Sequence, residues 1–462
     1  MPLTDTSIEE LAAAYAQREL SPVDVAHEAL AQLGKLNPTL NAYYLIDEEG
    51  ALAAARASEE RWRQGAQLSL LDGMPTSAKD ALSSVGWPSY RGSLAHRDPE
   101  PPTVDAPAIA RLREAGAVFL GKTTMPDFGI IASGYSSKHG ITRNPRAVTK
   151  NSGGSSSGAA AAVAAGIDMA AIGTDIVGSI RLPASFCGLF GFKPSQGRVP
   201  YYPPNDPSLA AGPISRSVSD AAIILNVITK PDARDYTALE PVSCDYRDAI
   251  NRVSSPARIG FLETFDFGLS ASGEVIRLAR DAAKLLEKEG HQISESALSF
   301  SGVDLEQAEF YYKTRCFAEF MTMPEDRRLA ASIIHRWTLP VQRSSARSLF
   351  DAINTMRQMR ERVMALFQSV DFLLLPTVHI PPFAAELPSP NQNLFEPWAN
   401  TFLFNLTGQP CSSVPCGVTG DGLPVGLQIV GRRFDDVGVL RLSRTLEQMI
   451  PPFEYRQQIN AT

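Results

Sequence analysis

The chain has 462 residues, 44% of them hydrophobic, with 50 Asp and Glu against 43 Lys and Arg and a formal net charge of −7. That apolar share suffices for a large core, and the acidic balance argues against a nucleic-acid-binding surface. Five cysteines, odd in number and widely spaced, make no disulfide framework and point to a reducing compartment.

At the N-terminus MPLTDTSIEEL lacks a basic start and an apolar run, so no targeting segment is expected and the protein is expected in the cytoplasm. Thr6 and Glu9 have the spacing of a capping box and open a first helix. Ser21-Pro22 opens a second helix expected to stop at Asn37-Pro38, and GALAAARASEERWRQG reads as a third, so residues 1–65 form a helical wrap. Strand and helix signals then alternate. AIARLREAGA precedes a strand-like VFLGKTT, AAAAVAAG reads as a tightly packed helix, ARIGFLET precedes a helical SGEVIRLARDAAKLLEKEGH, and VDFLLLPT reads as a strand. Such alternation implies an α/β sheet covered by helices. The longest apolar stretch, 159–172, is mostly alanine and is interrupted by Gly166 and Asp168, too short and too weak to span a bilayer. No internal repeat or low-complexity linker is legible.

The densest chemistry lies in three segments: Lys79 in MPTSAKD, Ser155 and Ser156 in NSGGSSSGAAAAVAAG, and Ser179 in GTDIVGSIRLPASFCG. A serine hydroxyl is a poor nucleophile at neutral pH and needs a base within hydrogen-bond reach, a task lysine performs only when neutral. Burial among the surrounding Gly, Ala and Val would favour that neutral form. These segments resemble the amidase signature family, whose members carry a stretch of the type GGSSGGS followed by G-T-D-x-G-G-S-I-R-x-P-A. LDGMPTSAKD, AIARLREAGAVFLGKTTMPDFG, GITRNP, GLFGFKPSQGRVP, GPISRSV, DFLLLPTVHIPP and NLTGQPCSSVPCGVTGDGLPVGLQIVGR also have counterparts there, so the resemblance runs from about 71 to 434 with a variable middle. One Gly-Ser stretch alone would be weak evidence, since such stretches are more often linkers.

The resemblance implies an α/β fold, a three-layer α/β/α sandwich around a large mixed β-sheet. A single domain over 1–462 would comprise the wrap at 1–65, a catalytic core at 66–228, a variable substrate-specificity region at 229–369 and a return to the sheet at 370–462. It also implies roles: Lys79 the base, Ser155 the bridging serine in a cis Gly154-Ser155 peptide, Ser179 the nucleophile. The amides of Ile176, Val177 and Gly178 would form the oxyanion hole. Ser156 would orient Lys79, with a helix N-cap as the plain alternative, and Asp175 and Arg181 would brace the loop as a structural ion pair. Val177 stands where relatives have glycine, a poor choice if the backbone there needs positive φ. Ser157 and Ala159 also depart from the pattern without removing a member of the triad. Tyr311, Tyr312, Phe317, Phe320 and Trp337 are candidates for a substrate pocket, although aromatic residues at helical spacing more often belong to a core. Gln428 is expected near the site by resemblance. Cys187 invites a thiol-nucleophile reading, but a small buried cysteine is the commoner case. His139 lacks the spacing of a metal ligand, so no metal and no cofactor are expected.

The expected function is hydrolysis of a small carboxamide to acid plus ammonia or amine through an acyl-enzyme. The partner would be a small-molecule amide, with no nucleic acid and no membrane; a homodimer stays open. One alternative is the glutaminase (A-type) subunit of a tRNA-dependent amidotransferase. That subunit usually has Gln after the arginine of GGSIR and Asp before its T-x-x-x-N-L block, where this chain has Leu182 and Trp398. A catalytically silent interaction protein on this fold is compatible with Val177 but disfavoured by the presence of Lys79, Ser155 and Ser179. A phosphate-binding glycine loop is disfavoured because NSGGSSSG lacks the lysine that follows the glycines of a P-loop.

Overall fold

The first helix, Ile8–Gln17, starts later than the Thr6/Glu9 spacing predicts: Ser7 is the N-cap and shares the capping box with Glu10. Both pairs satisfy the same sequence rule, and tertiary packing chooses between them. Starting at Ile8 buries Ile8, Leu11 and Tyr15 together, and the Ile8 amide donates to the Asp220 carboxylate at 2.9 Å. The second helix, Pro22–Leu40, passes through Pro38 rather than stopping before it. Gly34, whose carbonyl an amide at 38 would have bonded, is exposed, and the Asn37 side chain takes over the exit by accepting from the amides of Ala42 and Tyr43 at 2.9 and 2.8 Å. The third helix, Glu48–Gln64, is capped by Asp47 and ends on Gly65 in the left-handed region.

The computed structural model describes residues 6–203, 206–252, 255–265 and 268–451. In chain order its strands are β1 Tyr43–Ile46, β2 Pro75–Lys79, β3 Val118–Thr123, β4 Tyr135–Ser136, β5 Gly140–Ile141, β6 Arg143–Asn144 and β7 Ala147–Asn151. There follow β8 Ala170–Asp175, β9 Phe190–Lys193, β10 Ala210–Ser215, β11 Arg258–Phe261, β12 Gln292–Glu295, β13 Phe372–Pro376, β14 Cys411–Val418 and β15 Pro424–Gly431. Eleven of them form one sheet in the order β1-β3-β2-β8-β10-β9-β14-β15-β13-β11-β12. The sheet is mixed: β2 runs parallel to β3 and β8, β11 runs parallel to β12 and β13, and the other neighbours are antiparallel.

Every residue of β2 and of β8 is buried, as expected of parallel strands covered on both faces. Their pairing, Ala78 opposite Ile172, brings Lys79 at the end of β2 beside Thr174 and Asp175 at the end of β8. The carboxyl ends of parallel strands are where open α/β sheets place their ligands.

Helices cover both faces. One apolar set joins the N-terminal helices to Val218–Ile228, Gly273–Lys288 and Asp436–Met449. A second lies under Gly302–Phe320 and Ala346–Leu366 and takes in Phe128, Val177 and Trp398. A third is small: Ala159, Ala160, Val163 and Ala164 of helix Ser157–Ala164 meet Ile180 and Ala184. The 229–369 segment is not only an appendage, because it supplies β11, β12 and the helix between them to the sheet. No helix among the described residues is long and apolar enough to cross a membrane.

Helix Ser157–Ala164 is buried on every side, which only small side chains permit. A Cβ on Gly158 would stand 2.2 Å from the Ala42 carbonyl oxygen and 2.6 Å from the Thr124 amide nitrogen, whereas one on Gly34 would meet nothing within 4 Å. Gly158→Ala should therefore destabilise by ~1–3 kcal/mol through backbone displacement. Gly34→Ala should stabilise by ~0.5–1 kcal/mol through helix propensity and lost chain entropy. Urea unfolding of the two variants checks both signs.

Candidate active site

Lys79 is completely buried. Its amine donates to three hydroxyls, Ser155 Oγ at 2.9 Å, Ser156 Oγ at 2.9 Å and Thr174 Oγ1 at 2.8 Å, with the Thr174 carbonyl oxygen at 3.4 Å. No carboxylate touches it. Burial is the main cause that lowers its pKa to about 7, with Asp175 and Asp80 pulling the other way from a distance. A neutral amine has two N–H bonds and one lone pair. Ser156 and Thr174 can accept the two protons, which turns the lone pair toward Ser155.

Ser156 occupies the N-cap position of helix Ser157–Ala164 but makes no side-chain cap; its hydroxyl serves Lys79 instead. Its amide donates to the Ser179 carbonyl oxygen at 3.2 Å, and this bond ties the two serine loops together. The Gly154–Ser155 peptide is cis. The loop at 129–133 closes over it, since a Cβ on Gly154 would stand 2.4 Å from the Ile131 carbonyl oxygen and one on Gly129 would reach Ser155 Oγ at 3.2 Å. Ser155 and Ser179 are each 3% exposed.

The loop before Ser179 is folded around one carboxylate. Asp175 accepts from the Gly178 amide at 2.7 Å and the Ile180 amide at 3.1 Å. Arg181 grips the same carboxylate with two nitrogens, Nε at 3.0 Å and Nη2 at 2.9 Å. Burial alone would raise the Asp175 carboxyl, yet Arg181 and its other donors hold it at about 2. This corrects the expected oxyanion hole: the Gly178 amide is spent on Asp175, while those of Ile176, Val177 and Ser179 donate to no acceptor among the described residues. Gly178 is needed for another reason. Its φ is +136°, and a Cβ there would overlap Thr401 Oγ1 at 2.1 Å and press on Trp398 at 3.0 Å.

Val177 carries no strain, because the positive φ falls on Gly178 and Val177 is not among the residues in that region. Its carbonyl accepts from the Thr401 hydroxyl, and its side chain is buried in the same apolar cluster as Phe128, Leu182 and Trp398.

Gln428 lies near the site as expected, but among the described residues most of the aromatic candidates line no cavity beside it. Gln428 is buried beneath the site, accepting from Arg181 Nη1 at 2.6 Å and donating to the Asn400 carbonyl at 2.7 Å. It braces Arg181 and reaches no open space. Tyr312 and Phe320 are core, packed on Phe395 and Phe128. Trp337 is also buried and donates to Glu309 at 3.0 Å, Phe317 is half-buried, and Tyr311 lines a cavity that includes none of the three candidate catalytic residues. Burial pushes the Cys187 thiol up to about 12, which disfavours a thiolate. His139 stacks on Tyr44 at 4.3 Å, its Nε2 3.6 Å from Asp80. Sequence reasoning missed Thr174 as a partner of Lys79, although it sits inside the GTD motif. It also missed Thr401 and Asn405, whose only signal was the N-L block.

Arg181 also donates to the Thr401 carbonyl at 3.0 Å and to Asn405 Oδ1 at 2.5 Å, so removing it strands a buried carboxylate. Arg181→Met should cost ~3–5 kcal/mol at neutral pH. The folded carboxyl of Asp175 is held below the usual carboxylate range, so its contribution is present at neutral pH and fades as pH falls toward 2. The deficit of the variant in denaturant unfolding should therefore be largest near neutral pH and shrink as pH falls from about 4 toward 2.

The sequence pattern of the Amidase family matches residues 24–440. The A-type subunit of the glutamyl-tRNA(Gln) amidotransferase of Myxococcus xanthus (strain DK1622) is 34% identical, over 97% of this chain and 98% of that one. Among solved structures, a bacterial aryl acylamidase of the amidase signature family superposes with a TM-score of 0.90 at 28% identity, covering 98% of each chain. The 6-aminohexanoate cyclic dimer hydrolase superposes with a TM-score of 0.86 at 26% identity, covering 99% of each. A match over nearly the whole length, on an eleven-stranded mixed sheet of the same architecture, establishes that the chain belongs to the amidase signature family of C–N hydrolases.

Proposed function

We propose that the chain hydrolyses a small carboxamide through an acyl-enzyme on Ser179, with Lys79 as base and Ser155 as the bridge between them. The observation that carries this reading is a buried lysine whose three hydrogen-bond partners at under 3 Å are hydroxyls. A structural lysine at zero exposure would be expected to hold a carboxylate. This one is held ready to be neutral.

In the forward step Ser179 Oγ attacks the amide carbon while its proton passes to Ser155 Oγ and the Ser155 proton passes to the lone pair of Lys79. The carbonyl oxygen gains charge near the unspent amides of Ile176, Val177 and Ser179. Reversal of the relay protonates the nitrogen of the leaving amine, which departs, and Ser179 holds the acyl group as an ester. Water then repeats the sequence and releases the carboxylic acid. Ser156 and Thr174 are positioning residues for the amine.

The names of the curated relatives favour a second reading, a glutamine-hydrolysing subunit of an amidotransferase. Trp398 opposes it. Its ring is buried against Gly178, so an uncharged surface stands where that subunit usually has an aspartate. A reading as a cytoplasmic enzyme fits the same relatives.

Three outcomes follow. The kcat/KM for a simple amide should rise with pH through about 7 and then level, because Lys79 loses its proton there and only the neutral amine accepts one. Lys79→Ala should lose at least ~10³-fold with its unfolding transition intact; a folded Lys79→Ala enzyme with near-normal turnover would sink the relay. In a panel of amides scored by ammonia or amine release, L-glutamine should be a poor substrate. Turnover of glutamine equal to the best simple amide would instead promote the amidotransferase reading.

A further inference from the structure

A cavity of about 500 Å³ opens beside helix Ala346–Leu366, walled on its other sides by the segments around Gln196, Ser208 and Asn405. None of Lys79, Ser155 and Ser179 lines it, and among the described residues no aspartate or glutamate does. Three arginines do: Arg357, Arg360 and Arg433. The volume is that of an ordinary small-molecule pocket, and the charge in it is of one sign.

Several arginines elsewhere in this acidic chain find acids. Arg258 and Arg432 share Asp371, and Arg280 holds both Glu263 and Glu295. The cavity arginines do not. Arg357 reaches only Asn354 and the Phe350 ring, Arg433 lies over the Phe434 ring, and Arg360 makes no hydrogen bond or ion pair among the described residues. The Tyr311 hydroxyl and the Gln196 side-chain amide, which face the same cavity, likewise donate to nothing in the described residues. Like charges gathered around a concavity repel one another and focus a positive potential into it, and guanidinium forks match carboxylate and phosphate oxygens in pairs.

We propose that this cavity binds a small organic polyanion, bearing carboxylate or phosphate groups, at a site separate from the nucleophile. Asn405 connects the two. It lines the cavity, and its amide donates to the Asp175 carboxylate at 2.9 Å and carbonyl at 3.0 Å. The Asn405 side chain is already filled, its oxygen by Arg181 and its amide by Asp175 and the Ser208 carbonyl, so a ligand in the cavity acts on Asp175 by holding in place the wall from which Asn405 reaches it. The binding claim stands without the catalytic reading of Ser179, and only the functional meaning of the coupling rests on it.

Titration calorimetry of the full chain with citrate and with inorganic pyrophosphate, at constant ionic strength in chloride, tests the site and separates carboxylate from phosphate chemistry. At least one probe should bind saturably at one site per chain. Its Kd should rise about tenfold or more in Arg360→Gln and in Arg433→Gln, both exposed positions, from the loss of a charge-assisted hydrogen bond. The Kd should be unchanged in Ser179→Ala. Bound probe should also slow amide hydrogen exchange several-fold in the peptide spanning Asp175 to Cys187. No saturable binding by either probe, binding indifferent to both arginine variants, or binding lost with Ser179 would overturn the proposal. Saturable binding with unchanged exchange in that peptide would overturn the coupling.

Discussion

The buried ion pair between Asp175 and Arg181 is the constraint on which the rest of the site depends. Removing two charges from water costs several kcal/mol per ion, and the cost is offset only when nearly every polar valence is filled. Here they are filled. Asp175 accepts from two backbone amides, from Arg181 twice and from Asn405. Arg181 spends its remaining donors on Thr401, Gln428 and Asn405. Because the two amides held by Asp175 flank Ser179, the pair fixes where that hydroxyl stands, and it aims the carbonyl of Val177 at Thr401. A loop bound this way does not reorganise when charge develops beside it, which is what an electrostatic contribution to catalysis requires.

Lys79 obeys the opposite rule. Its amine is given hydroxyls and no carboxylate, so burial works against its charge and brings its pKa down to about 7. Neighbouring strand ends thus hold a charge the fold has fully compensated and one it has left uncompensated. The strand pairing makes this arrangement available: β2 and β8 are parallel neighbours, so their last residues emerge side by side, with Asp175 turned to its arginine and Thr174 turned to the lysine. Helix Ser157–Ala164 can approach both because it is built almost wholly of small side chains, five of its eight residues being alanine and one glycine.

Much of the fold was legible, and the reason is local. The α/β alternation, the alanine helix and the strand at Phe372–Pro376 all follow from short-range pattern, and the family resemblance supplied the layered architecture. Where two local rules tie, sequence does not choose: Thr6/Glu9 and Ser7/Glu10 are equal capping boxes until Ile8 is asked to pack. Pro38 sits inside the helix because Asn37 can cap the exit from within, which a proline count does not show. At the site, Lys79, Ser155 and Ser179 stood out by residue type in glycine-dense surroundings. Thr401 and Asn405 did not, and Gln428 was placed only by resemblance, since their partner Arg181 lies more than 200 positions away and meets them only through the order β8-β10-β9-β14-β15. Tyr312 and Phe320 belong to the core for a plainer reason. Helix Gly302–Phe320 turns Tyr312 and Phe320 inward as core, and spacing alone cannot tell a core stripe from a pocket wall.

The central claim is that Ser179, placed by Asp175 and Arg181 and deprotonated through Ser155 by Lys79, carries the acyl group. Peptide mapping after reaction with a fluorophosphonate probe tests it most directly. The account predicts one adduct per chain, on Ser179, forming faster as pH rises through about 7. An adduct on Ser155 or on Cys187, with Ser179 unmodified, would contradict it.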